Sequence, residues 1–103
     1  VKDFNTIASE IILKHSKKGN KNVAQHLIKL QEEVGELAVA YLMSINKKGH
    51  RKSKHAIKEN FIEEACDCII IILSLIGRAK YSRKKTIEML NKKLEKFCIN
   101  KVK

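Results

Sequence analysis

Proline and tryptophan are absent from the 103 residues, and glycine occurs four times. Without proline the chain lacks the strongest helix breaker and much of the turn chemistry that punctuates sandwiches and barrels. The composition is that of long helices joined by short turns. Cysteine occurs three times, and Cys66 and Cys68 stand two apart inside an apolar run. Helical residues at that spacing face different directions, so the pair is poorly placed for a disulfide or a metal clip. All three cysteines read as free thiols of a reducing compartment. The longest apolar stretch, CIIIILSLIG at 68–77, is about half the length that spans a bilayer. The opening VKDFNTIASE is too polar for a secretory signal. The expectation is a cytoplasmic protein with no membrane association.

Acidic residues are also scarce, 11 against 22 lysines and arginines, for a formal net charge of +11. Such a surplus attracts polyanions and phosphorylated ligands without specifying a fold. The hydrophobic fraction of 44% supports one modest core, so a single all-α domain over 1–103 is expected.

Four helices can be drawn. In the first, Phe4, Ile7, Ala8, Ile11 and Ile12 have the spacing of a buried stripe, with Asp3 as cap; Gly19 and Asn20 break the pattern. The second begins at Asn22, which with Gln25 suggests a capping box, and carries a stripe through Leu27, Leu30, Val34, Leu37, Ala38, Tyr41 and Ile45. NKKGHRKSKH, 46–55, is the most loop-like stretch. The third helix runs from about Ser53 to Ile76 and stops at Gly77; the fourth runs from about Ser82 through Ile87, Leu90, Leu94 and Phe97. Four amphipathic helices pack economically as a four-helix bundle. The third is apolar on all sides in its second half, with Ile69, Ile70, Ile71 and Ile72 in succession. That pattern calls for burial at the bundle centre or at a subunit interface, hence a homodimer, or a homotetramer built as a dimer of dimers.

Seven of the 11 acids fall in two windows: Glu32, Glu33 and Glu36, then Glu59, Glu63, Glu64 and Asp67. Glu33 and Glu36 share one side of a helix and Glu33 borders the apolar stripe. Glu64 and Asp67 repeat the i,i+3 relation on the next helix. Like charges so placed repel unless a cation lies between them. Two antiparallel helices would converge these four carboxylates, and ligation by oxygen alone suits Mg²⁺, or Mn²⁺. No histidine joins either pair, which disfavours zinc or a ferritin-like iron site.

KLQEEVGELA at 29–38 followed by EEACD at 63–67 resembles the MazG-like branch of the all-alpha nucleoside triphosphate pyrophosphohydrolases. Its pattern is Glu-Glu-x-x-Glu on one helix and Glu-x-x-Asp on the next. The resemblance covers about residues 22–97. It implies Glu33, Glu36, Glu64 and Asp67 as metal ligands and Glu32 as an auxiliary acid that orients or deprotonates water. NKKLEKF at 91–97 is similar to the family's Asn-x-Lys element, which implies that Asn91 and Lys93 face the substrate. Lys93 and Lys29 would neutralise charge on the phosphates. The implied reaction is hydrolysis of a (deoxy)nucleoside triphosphate to monophosphate and pyrophosphate, with phosphoribosyl-ATP as an alternative substrate.

The rival expectation is a non-enzymatic helical protein that grips nucleic acid through KKGHRKSKH at 47–55 and RAKYSRKK at 78–85. It is the less favoured reading, because Glu32, Glu33 and Glu36 sit badly beside phosphates.

Overall fold

The computed structural model describes the backbone of residues 1–45 and 54–102, with side chains described over 1–43 and 60–97. The loop-like stretch read at 46–55 lies outside it, apart from the backbone of residues 54 and 55. Four helices follow one another: α1 (Phe4–Ser16), α2 (Val23–Ile45), α3 (Lys54–Arg78) and α4 (Arg83–Val102). They make an all-α bundle in which α3 is central, packed on α2 and on α1, while α4 leans mainly on α1.

Asp3 caps α1 as expected: its Oδ1 accepts the Thr6 amide at 2.8 Å, and that bond holds the carboxyl below its usual range. The capping box at Asn22 does not form. Asn22 stands at φ 63°, in the left-handed region that asparagine tolerates better than most residues, and its carbonyl rather than its side chain receives the His26 amide at 3.0 Å.

Gly77 is not the stop of α3; it lies within the helix. A Cβ there would stand 2.4 Å from the Ile12 carbonyl oxygen, so glycine is what lets α1 approach. The helix instead ends in a Schellman motif: the Tyr81 amide reaches back to Ile76 O and the Lys80 amide to Gly77 O, with Lys80 at φ 70° in the position glycine usually takes. The Lys80 ammonium then donates to Ser16 O at the end of α1, 2.9 Å away. The next helix starts on Ser82, whose Oγ accepts the Lys85 amide at 3.1 Å.

The core is thin. Ala8, Ile12 and Leu73 form its centre, with Ile11 and Ile76 packed against them. On α1, Phe4 and Ile7 stay exposed, because α4 covers only part of that face. On α2 the buried side differs from the expected stripe: Val23, His26, Leu30, Glu33, Leu37 and Ala40 turn inward, while Leu27, Val34 and Tyr41 turn out. The all-round burial expected of α3 is likewise not reached within one chain, where Ile69, Ile70 and Ile72 remain 40–46% exposed.

Candidate metal centre

α2 and α3 run antiparallel. Arg78, at the end of α3, donates to Lys21 O just before α2, and the Tyr41 and Phe61 rings meet at 6.1 Å near the other end. Between these contacts, nearer the Tyr41–Phe61 end, the inward seam of α2 reaches Glu33, and the facing turn of α3 carries Glu64 and Asp67. Carboxylate oxygens of Glu33, Glu64 and Asp67 all lie within 4.8 Å of one another. Glu33 is buried at 6% exposure, Glu64 is half-buried and Asp67 is exposed, so the cluster opens from the helix interface toward solvent.

The electrostatics are unbalanced. Lys29, one turn before Glu33, holds Glu33 Oε1 at 3.1 Å and approaches Glu32 at 3.7 Å. That bond to Glu33, then the nearby charges, raises the Lys29 ammonium above its usual range. Nothing comparable reaches the other oxygens: Glu33 Oε2 and Glu64 Oε2 are buried without a hydrogen-bond partner. Burial first, and then the hydrogen bond and charge of Glu36 and those of Glu33, push the Glu64 carboxyl up to about 7. A buried oxygen left unpaired is costly; a proton on Glu64, donated to a neighbouring carboxylate, relieves that cost but leaves net negative charge in the cluster. A divalent cation between the carboxylates relieves both. The donor set, carboxylates with room for water, is that of a hard cation, so the residues fit a divalent cation.

Glu64 also lines a cavity of about 560 Å³ with Glu32, Gly35, Glu36, Val39, Ala40 and Asn60. Of the acids singled out in the sequence, Glu33, Glu64 and Asp67 therefore cluster, while Glu32 and Glu36 stand at the adjoining cavity with Glu64. Asn91 and Lys93 are exposed on α4, outside the lining of that cavity. Asn60 was missed; its signal was its place one turn before Glu64, on the same face of α3. Cys68, a turn beyond Glu64, is buried, and burial followed by the charge of Glu33 and its acidic neighbours pushes its thiol up. No family model, curated protein or solved structure matches the chain.

Proposed function

We propose that the chain is a divalent-metal-dependent nucleotide pyrophosphohydrolase, cleaving a (deoxy)nucleoside triphosphate to the monophosphate and pyrophosphate. The observation that carries this reading is the pair of unpartnered buried oxygens on Glu33 and Glu64 inside a three-carboxylate cluster. The four-helix arrangement is compatible with the MazG-like family and not specific to it; the residue pattern around Glu32–Glu36 and Glu64–Asp67 is what selects the reaction.

Glu33, Glu64 and Asp67, joined by Glu36, would hold Mg²⁺ or Mn²⁺. Such an ion supplies the positive charge a polyphosphate needs beside carboxylates, and Lewis acidity toward water. Lys29 fixes Glu33 in place through their 3.1 Å ion pair. Glu32, exposed at the cavity rim, is the base that orients water and takes its proton. The water oxygen bonds to the α-phosphorus, the bond from that phosphorus to the bridging oxygen breaks, and pyrophosphate leaves. Asn91 and Lys93 are assigned to the sugar and phosphates on the resemblance alone.

The uncovered apolar side chains of α3 and α4 favour a second copy of the chain as partner. They are Ile69, Ile70 and Ile72 on α3, and Ile87, Leu90 and Leu94 on α4.

The deciding assay is pyrophosphate release from a panel of ribo- and deoxyribonucleoside triphosphates and phosphoribosyl-ATP, with Mg²⁺, Mn²⁺ or EDTA. Metal-dependent turnover lost in Glu36→Ala and Asp67→Ala supports the reading. No turnover across the whole panel sinks it. Light scattering at micromolar protein tests the pairing separately: a mass near twice 11.8 kDa is expected, and the single-chain mass would remove the dimer but not the chemistry.

A further inference from the structure

Two basic segments far apart in sequence, KHSKKGNK at 14–21 and RAKYSRKK at 78–85, meet at one end of the molecule. Three tethers hold them. Arg78 donates from Nε to His15 Nδ1 at 3.1 Å and from its terminal nitrogen to Lys21 O, and Lys80 donates to Ser16 O at 2.9 Å. The first segment carries four lysines and the second five cations, with no acid in either. Among the described residues the ion pairs are Lys2 with Glu10 and Lys29 with Glu32 and Glu33, so none of the nine cations has a carboxylate partner.

Arg78 sharpens the point. Its residue is only 4% exposed, and its hydrogen bonds run to a neutral ring nitrogen and a carbonyl. The buried guanidinium draws the two segments together and adds its charge to theirs without facing solvent. Burial first, then the charges of Arg78 and Lys18, hold His15 below its usual range, in keeping with a positive field there. Between α1 and the 78–85 segment opens a cavity of about 480 Å³ lined by Ser9, Ile12, Leu13, Ser16, Lys80, Tyr81, Ser82 and Arg83. Ser9 and Ser16 donate their hydroxyls to backbone carbonyls, which leaves two cations, the Ser82 hydroxyl and a Tyr81 ring that is 57% exposed to face a ligand.

We propose that this basic end is a docking surface for single-stranded nucleic acid, separate from the carboxylate cluster. The cations spread over two segments suit successive backbone phosphates, and the cavity beside Tyr81 suits one unstacked base against an aromatic ring. A duplex keeps its bases stacked and out of such a cavity. An anionic membrane is flat and is met by protruding apolar side chains among cations, whereas this surface is concave, with Lys80 and Arg83 in the lining of its cavity. The sequence alone pointed to 47–55 as the companion of 78–85, a stretch outside the described residues apart from the backbone of 54 and 55; the tethers from Arg78 and Lys80 bring 14–21 to 78–85.

Fluorescence anisotropy tests it, using the full chain, labelled dT₁₂ and rU₁₂, EDTA to silence hydrolysis, and KCl from 50 to 300 mM. Binding is expected, with log K falling against log[KCl] at a slope of about −3 for four phosphates engaged. Lys17→Glu with Lys84→Glu weakens it by roughly tenfold or more, and Tyr81→Ala by roughly five- to tenfold with the salt slope unchanged. Lys92→Glu with Lys96→Glu, the same charge change further along α4, leaves affinity within about twofold. Three results would each overturn the proposal: no binding at 100 mM KCl, equal weakening by the two charge-reversal pairs, or preferential binding to phosphatidylserine vesicles. Circular dichroism of each variant confirms that it is folded.

Discussion

Glu33 and Glu64 face each other across α2 and α3, and each buries its Oε2 without a hydrogen-bond partner. A ligand that binds the folded chain and not the unfolded one raises its melting temperature by mass action. Mg²⁺ or Mn²⁺ at about ten times its Kd is expected to raise Tm by roughly 5–10 °C. The rise should vanish in Glu33→Gln and in Asp67→Ala. Calorimetry of the three proteins with EDTA and with metal checks this, and an undiminished rise in both variants would place the cation elsewhere.

The Glu64 carboxyl, pushed up to about 7 from 4.5, sets a pH dependence. Its folded state holds the proton more tightly than the unfolded state does. The stabilisation is therefore fully present below about pH 4.5 and is lost as pH rises through about 7. In EDTA, Tm should fall between pH 5 and 7.5, and Glu64→Gln should flatten that fall. Metal affinity should move the opposite way, strengthening as pH rises through 7, because the ion displaces the proton. Thermal melts and Mn²⁺ titrations across the same buffers read both slopes.

Two glycines should respond to alanine with opposite signs. In a helix, Gly→Ala ordinarily stabilises by about 0.5–1 kcal/mol. Gly35 has nothing within 4 Å of a built Cβ, so Gly35→Ala is expected to gain that amount. At Gly77 the Cβ would meet the Ile12 carbonyl oxygen at 2.4 Å and crowd His15 and Ser16. Since backbone cannot step aside as a side chain can, Gly77→Ala is expected to cost about 1–3 kcal/mol. Urea unfolding of both variants settles the signs.

Cys66 and Cys68 should separate in alkylation. Cys66 is exposed and Cys68 buried, with the Cys68 thiol pushed up by burial and by the acids beside it. Iodoacetamide at pH 8 followed by peptide mapping should mark Cys66 before Cys68, and urea should bring Cys68 to the same rate. Equal rates in the native protein would contradict the packing of α3 on α2.

The sequence announced the helices, the Asp3 cap and the start of α4 at Ser82 because those are local signals: side-chain period and capping residues. It misplaced the end of α3, since Gly77 serves a contact with Ile12 that lies 65 positions away in the chain, and no local pattern encodes such a contact. It also put the inward face of α2 one residue off, through Leu27 and Val34. Hydrophobicity alone drew the line there, whereas the packed chain turns Glu33 inward and leaves Val34 half exposed. The acids were legible as a group because they are few and their spacing repeats. Three of the four read as ligands, Glu33, Glu64 and Asp67, do cluster; that Glu36 stands at the adjoining cavity was not legible, because it depends on the register of α2 against α3. The pairing of 14–21 with 78–85 was hidden for the same reason, being made by Arg78 and Lys80 across the bundle.

The inward residues of α2, Val23, His26, Leu30, Glu33, Leu37 and Ala40, repeat at alternating steps of three and four, the seam of a coiled coil. In such a seam apolar knobs of similar size tolerate sliding by a heptad, and a charged knob does not. Moving α2 along α3 one heptad in one direction would carry Glu33 away from Glu64 and toward the isoleucine run at 69–72. The carboxylate that weakens the seam thus also pins its register, so that the alignment of the two helices and the convergence of the acids are one and the same constraint.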